Sequence, residues 1–520
     1  MPKLTIDGHE VEVPKGTTII EAARRLGIDV PHYCYHPGLS IAGNCRMCLV
    51  EVEKVPKMLI ACHTQAADGM VVHTQSEKCR EYRAAVLEFI LVNHPLDCPV
   101  CDQAGECKLQ DYYMEHGADG SRVDENKVKK HAKATQIGPS VMLDSERCIL
   151  CSRCVRFTDE ISHSHELGIV ERSDHSELIL AEGAWLDNPY AGNVVDICPV
   201  GALTDRDFRF KCRVWYLTAV DSVCTGCAQG CNIEIHVNRD RPHKAEGARV
   251  MRYKPRENLH VNRWWICDAG RYSYKAIDDD RAEHPMVDAR NVALERALEA
   301  TVEAVQEAGD AVGLLVATTA TNEDMFLAHS LFADRLGAKV AFITPPQGEA
   351  DDFLIRADKS PNRRGAEEII GTETGDPVGW VKENGIKALV VIGDADLTGM
   401  KASVSHLTVI ATHHGKATDQ AHVVLPGTVH AEVEGTFTNH QGRVQRIHVA
   451  VPPIANAVET WRLLMDLGER LGHTFDYEFE DDIFAALAAR VPAFAGLTHE
   501  NLGGSGTLLG TGSQQPAEVV

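Results

Sequence analysis

Cys148-Ile149-Leu150-Cys151-Ser152-Arg153-Cys154, answered by Cys198-Pro199-Val200-Gly201-Ala202-Leu203, decides how the first half of this chain is read. The C-x2-C-x2-C run places three thiolates around one corner of an iron-sulfur cubane, and the remote cysteine before proline supplies the fourth. Runs that serve two clusters continue with a further cysteine after a three-residue gap. Thr158 stands at that place, and no second run follows. Cys148, Cys151, Cys154 and Cys198 are therefore expected to hold one [4Fe–4S] cluster.

Working outward, fifteen of the seventeen cysteines, with His94, fall into four such sets before residue 270. The first is Cys34, Cys45, Cys48 and Cys62, spaced C-x10-C-x2-C-x13-C. Gly43 permits the tight turn that brings backbone N–H groups toward sulfur. Leu4 to Asp7 and His9 to Val13 alternate around Asp7-Gly8, a hairpin signal. Thr18 to Glu21 forms a capping box for a helix through Arg25, and Leu49 to Glu53 alternates as a strand. Two strands, a helix and a cysteine loop point to a β-grasp ferredoxin module with a [2Fe–2S] cluster. The competing reading is structural zinc, which usually pairs two short C-x2-C units where this set has one.

The second set is His94, Cys98, Cys101 and Cys107, expected to hold a [4Fe–4S] cluster. Three thiolates need a fourth ligand, and imidazole in place of thiolate removes negative charge from the cluster. Glu77 to Val92 reads as a helix that delivers His94. Cys79 competes for the role, about four helical turns upstream. The fourth set is Cys224, Cys227, Cys231 and Cys267, a C-x2-C-x3-C with a distant partner, again read as [4Fe–4S], with a zinc ribbon as the alternative. Cys79 and Cys212 stay unassigned.

The order of these modules, with HPLDCPVCDQAGECKLQD, CILCSRCVRF and GNVVDICPVGAL, resembles the large iron-sulfur subunit of bacterial respiratory NADH:quinone oxidoreductase. The resemblance is close over the first 275 residues and weaker beyond. It implies a relay of electrons from a flavin-bearing NADH dehydrogenase subunit toward quinone, coupled by the whole complex to ion translocation. The implied partners are that flavin subunit and the other iron-sulfur subunits of a peripheral arm. No catalytic residue and no nicotinamide, flavin or quinone site is expected on this chain. The alternative is the electron-transfer subunit of a soluble NAD-linked hydrogenase or formate dehydrogenase, whose chains typically stop after the third motif. An iron-only hydrogenase needs further cysteines, and none follows Cys267.

Composition agrees with this placement. A length of 520 residues with 44% hydrophobic content allows several domains, each with its own core. A net charge of −23 argues against nucleic-acid binding and against a direct basic grip on anionic lipid. The N-terminus lacks the pattern of a secretory leader, and no apolar run reaches spanning length. The expected location is the cytoplasmic face of the inner (plasma) membrane, reached through partners, where reducing conditions favour clusters over disulfides.

From about Asp278 a β/α rhythm appears. Strands are expected at Val312 to Thr318, Lys339 to Thr344, Ala388 to Gly393 and Leu407 to Thr412, with helices at Glu323 to Leu336, Val378 to Glu383 and Trp461 to Leu471. Such a rhythm predicts a doubly wound α/β domain. Its closing segments resemble molybdopterin oxidoreductases, but it is short for that family, Ala269 replaces a basic residue common there, and no thiolate remains for molybdenum. No molybdopterin is expected. The loop Gly393 to Asp396 is a candidate switch-point site. The expected domains are 1–78 ([2Fe–2S]), 79–140 (one histidine and three cysteines), 141–218 ([4Fe–4S] ferredoxin-like), 219–277 (molybdopterin-oxidoreductase-type cluster), 278–490 (shortened α/β) and 491–520 (flexible tail). The quinone, the coupling ion and the cluster potentials are not legible in the residues.

Overall fold

The computed structural model describes residues 1–510, apart from 119, 125, 131, 132, 240, 242, 244 and 246. The chain divides into two compact units, Met1–Leu217 and a second that begins at Thr218.

The first unit opens on a five-stranded sheet. Its strands lie in the order His9–Glu12, Lys3–Ile6, Val71–His73, Leu49–Val52, Leu59–Ile60, with a parallel pairing between Lys3–Ile6 and Val71–His73 and antiparallel pairings elsewhere. The hairpin turns at Asp7 (φ +47°) and Gly8 (φ +87°), the left-handed pair that a two-residue turn needs to match strand twist. The helix Ile19–Arg25 starts where Thr18 accepts from the backbone N–H of Glu21, and it buries Ile19, Ile20, Ala22 and Ala23 against the sheet. The helix Glu77–Leu91 follows, capped by Ser76. A three-stranded sheet, Leu203–Asp205, Val141–Leu143 and Thr135–Gln136, then backs the third cysteine set.

The second unit begins with an antiparallel sheet of Thr218–Val223, Asn232–Val237 and Arg252–Pro255. Its larger sheet has seven strands. Lys339–Ile343, Val312–Ala317, Ala388–Ile392, His406–Ala411 and Val423–Pro426 run parallel in that order, and Met286–Val287 and Arg290–Asn291 close one edge antiparallel. Successive residues of the central strands serve opposite faces. Leu314, Val316, Val390 and Ile392 join a core with Phe326, Trp461 and Phe484, whereas Leu315, Ala317, Leu389 and Val391 join a second with Val381 and Ala417. Both faces are covered, which explains the unbroken apolar runs.

A buried bidentate pair, Arg281 Nη2 to Glu432 Oε2 at 2.7 Å and Nη1 to Oε1 at 3.0 Å, fastens the segment after the fourth cysteine set to the C-terminal region. The expectation of a flexible tail from 491 is corrected for residues 491–510. Phe494, Leu497 and Leu502 are buried in the main core, and Thr507–Leu508 pairs with Arg443–Ile447. The glycine and serine content obscured a few well-placed apolar anchors. Residues 511–520 lie outside the described part. Among the described residues, no helix is long and apolar enough to cross a membrane.

Candidate metal centres

The first set lies in the loop between Ile19–Arg25 and Leu49–Val52, with Cys62 just beyond Leu59–Ile60. Gly43 (φ +63°) and Arg46 (φ +59°) flank Cys45 in left-handed backbone, curling the loop around the thiols. The thiols meet as two pairs. A hydrogen bond from Cys45 holds Cys34 down to about 5, and one from Cys62 holds Cys48 below its ordinary value. Two pairs fit a two-iron cluster in which each iron takes two thiolates. Cys34, Cys48 and Cys62 are buried.

In the second set, His94, Cys98, Cys101 and Cys107 line one cavity together with Arg147 and Gly201. Burial, and then the nearby Arg147 charge, lowers His94 to about 4, so its imidazole is neutral at pH 7, the form that can ligate a metal. Its Nδ1 is buried without a hydrogen-bond partner. Burial raises Cys107 to about 11. Cys79 sits at the opposite end of the helix, where its thiol donates to the carbonyl of His73 at 3.3 Å, and it does not line this cavity.

The four cysteines of the third set line another cavity, walled by Ile149, Leu178, Val200 and Leu203. Leu150 (φ +54°) and Ser152 (φ +61°) alternate with the cysteines in left-handed backbone, and the N–H of Leu150 lies 3.4 Å from Cys148 Sγ. Burial raises Cys148 to about 12 and Cys151 to about 11. Thiols pressed upward by burial this far need a metal or a cation to ionise.

These three sites are contiguous. Cys34, Cys107 and Cys151, one from each set, share an apolar cluster with Tyr33, Tyr112 and Val200. The backbone N–H of Lys108 donates to the carbonyl of Pro199 at 3.0 Å, joining the second site to the third. A Cβ at Gly201 would collide with Cys101 Sγ, so this position, inside the third motif, forms part of the cradle of the second.

The fourth set belongs to the second unit. Residues 224–231 form the loop between Thr218–Val223 and Asn232–Val237, closed by a hydrogen bond from Cys224 N to Cys231 O at 2.8 Å. Cys267 caps Asp268–Arg271, and the N–H of Gly270 lies 3.3 Å from its sulfur. A Cβ on Gly270 would fall 2.9 Å from Cys224 Sγ and 3.4 Å from Cys267 Sγ, so only glycine leaves both sulfurs room. Gln445 donates to the carbonyl of Gly230 at 2.9 Å, and Asn439 to that of Gln229 at 3.2 Å, tying the loop to the C-terminal region.

Among the described residues, no three His, Cys, Asp or Glu side chains close tightly enough to hold a single metal ion. A lone zinc, with bonds of about 2.3 Å to sulfur, draws its ligands into such a knot. A cluster needs less closeness, because its iron-sulfide core separates the thiolates. Paired thiols, a neutral histidine and glycine cradles are a donor set that fits clusters.

The comparisons agree with this chemistry. Family models match a 2Fe-2S iron-sulfur cluster binding domain at residues 2–77, an NADH-ubiquinone oxidoreductase-G iron-sulfur binding region at 83–122, and the ferredoxin-like domain of NADH-quinone oxidoreductase subunit 3 at 138–204. A molybdopterin oxidoreductase Fe4S4 domain matches 217–279, and a molybdopterin oxidoreductase model matches 359–470. The NADH-ubiquinone oxidoreductase 75 kDa subunit of Reclinomonas americana is 43% identical over 287 residues, which is 55% of this chain and 40% of that protein. The chain is a relative of the large iron-sulfur subunit of NADH:quinone oxidoreductase.

The mitochondrial NADH dehydrogenase [ubiquinone] iron-sulfur protein 1 of Solanum tuberosum is similar to the same degree, 43% over 282 residues, 54% of this chain and 37% of that one. The chain thus spans about two-fifths of the length of the curated relatives it matches. A crystal structure of an NAD+-reducing [NiFe]-hydrogenase in the H2-reduced state is 32% identical, covering 41% of this chain and 91% of its own, at a TM-score of 0.37, too low a superposition to bear on the fold. The protein is a mixed helix-and-sheet chain of ferredoxin-like and molybdopterin-oxidoreductase domains, with 2Fe-2S and 4Fe-4S binding domains among them.

Sequence reasoning passed over Arg147, Arg153 and Arg156, which stand among the thiols. An arginine inside a cysteine motif carries no spacing signal, and only the fold reveals what it faces.

Proposed function

We propose that this chain is an iron-sulfur electron-relay subunit of a respiratory NADH:quinone oxidoreductase, taking electrons from a flavin-bearing subunit and passing them toward quinone. The observation that carries this reading is the shared core of Cys34, Cys107 and Cys151, which sets three candidate centres side by side in one compact unit. Iron-sulfur clusters supply one-electron chemistry, and their thiolate, histidine and hydrogen-bonding surroundings set the potential.

The proposed ligands are Cys34, Cys45, Cys48 and Cys62 for one [2Fe–2S] cluster. His94, Cys98, Cys101 and Cys107, then Cys148, Cys151, Cys154 and Cys198, and finally Cys224, Cys227, Cys231 and Cys267 serve three [4Fe–4S] clusters. The domains follow the same divisions, with a β-grasp fold over 1–78 and a doubly wound sheet beyond 278. The partners are the flavin subunit and other peripheral-arm subunits, and these bring the chain to the cytoplasmic face of the membrane.

The α/β region serves as scaffold without molybdopterin. At the end of Val312–Ala317, where such sheets bind ligands, Asn322 donates to Thr436 Oγ1 at 2.9 Å and to Thr438 Oγ1 at 3.0 Å, and Glu323 accepts from Thr436, so the chain's own buried side chains fill that edge. In the loop after Ala388–Ile392, Asp394 is engaged by Thr412 and His413, and Asp396 by Lys416. These contacts support a structural loop rather than a ligand site.

Isolation of the tagged chain from its own cells tests the function. NADH:quinone reductase activity and flavin are expected to co-purify with it. Hydrogen- or formate-dependent NAD reduction in the same fraction, without quinone reduction, would establish the hydrogenase or formate dehydrogenase alternative instead.

A further inference from the structure

Arg153 opens the helix Arg153–Glu160, and its position is electrostatically costly twice over. It is only 9% exposed, so its charge has lost most of its water. It also stands at a helix N-terminus, the end that disfavours cations. Ordinarily a carboxylate offsets such a charge, yet among the described residues no Asp or Glu forms an ion pair with Arg153. What it touches instead is the backbone beside two ligand sets. Nη1 donates to the carbonyl of Ile197 at 3.0 Å, next to Cys198, and Nη2 donates to that of Tyr35, next to Cys34. Its Nε–H is buried with no hydrogen-bond partner. The anionic groups that act on its guanidinium are the thiols Cys151, Cys198, Cys34 and Cys45, drawn from both sets.

Arg156, one turn on, repeats the pattern. It donates to Cys34 O at 2.5 Å and approaches Cys151 O at 3.4 Å. The neighbouring His32 and His36 are pushed toward the neutral form, first by burial and also by the Arg153 charge, so they add no competing cation at pH 7.

We infer that Arg153 is a positioning residue that serves two centres at once, its fixed buried charge holding the [2Fe–2S] cluster of Cys34, Cys45, Cys48 and Cys62 and the [4Fe–4S] cluster of Cys148, Cys151, Cys154 and Cys198 at raised reduction potentials. Reduction adds one electron, hence one negative charge, to a cluster. A buried cation stabilises that reduced state more than the oxidised one, and low dielectric amplifies the effect. One side chain between two centres thereby moves both in the same direction and keeps their difference small.

This inference rests on the cluster assignments proposed above, and the experiment separates the two. Wild type, Arg153→Met, Arg153→Gln and Arg153→Lys are compared as holoprotein, with iron content measured first and midpoint potentials then read by EPR-monitored redox titration. Wild type without both cluster types would defeat the assignments themselves. With clusters present, Arg153→Met is expected to lower the midpoint potentials of both named clusters, while the cluster of Cys224, Cys227, Cys231 and Cys267 keeps its own. Arg153→Lys retains charge and should stay near wild type. Arg153→Gln, which keeps donors without charge, covers the case in which methionine prevents cluster assembly, and it should behave as the methionine variant does. Unchanged potentials in the uncharged variants, or a fall in Arg153→Lys as deep as theirs, would overturn the inference and reduce Arg153 to a hydrogen-bonding brace.

Discussion

Cys148→Ala in the assembled complex reduces NADH-to-quinone electron flow to background while NADH oxidation by an artificial acceptor at the flavin continues. The reason is the position of the third set. Cys148 opens the run whose cavity is shared with Cys151, Cys154 and Cys198, and that site adjoins both others through Cys34, Cys107 and the backbone link from Lys108 to Pro199. Loss of a central carrier leaves no closely spaced route. The measurement is quinone reductase activity normalised to intact complex, beside artificial-acceptor activity on the same sample. Retention of quinone reduction with the cluster of the third set spectroscopically absent would place it off the route.

Cys224→Ala is expected to act in the opposite manner, lowering the yield and thermal stability of the complex several-fold more than its turnover. The fourth set fastens the 224–231 loop to Cys267 across a long stretch of chain, and a bound metal centre contributes directly to folding. The same loop is held by Gln445 and Asn439, so its loss propagates into the C-terminal region. The fourth centre is therefore a cross-link within the second unit. Full assembly of the Cys224→Ala variant with turnover as completely lost as in Cys148→Ala would put the fourth centre on the electron path.

Much of the fold was legible because local chemistry and tertiary structure agree. Asp7-Gly8 adopts the left-handed turn its residues favour, Thr18 caps its helix, and the apolar runs at Val312, Ala388 and Leu407 become strands buried on both faces. What escaped has a physical reason in each case. Met286–Val287 and Arg290–Asn291, the antiparallel edge, are too short to show a period. The segment 491–510 reads as linker by composition, yet Phe494 and Leu502 decide its place. At the sites, cysteine spacing identified each set but not which sets adjoin, since Cys34, Cys107 and Cys151 are far apart in sequence and meet only through the fold. Arg153 was illegible for the same reason, because the charge of a side chain is visible in sequence whereas its lack of a carboxylate partner is not.

The central claim, that four ligand sets hold an electron relay, is tested most directly by the metal content of anaerobically purified protein, with EPR of the reduced sample. One [2Fe–2S] and three [4Fe–4S] clusters predict about fourteen irons per chain and signals of both cluster types. Stoichiometric zinc with little iron, in a colourless protein, would contradict it.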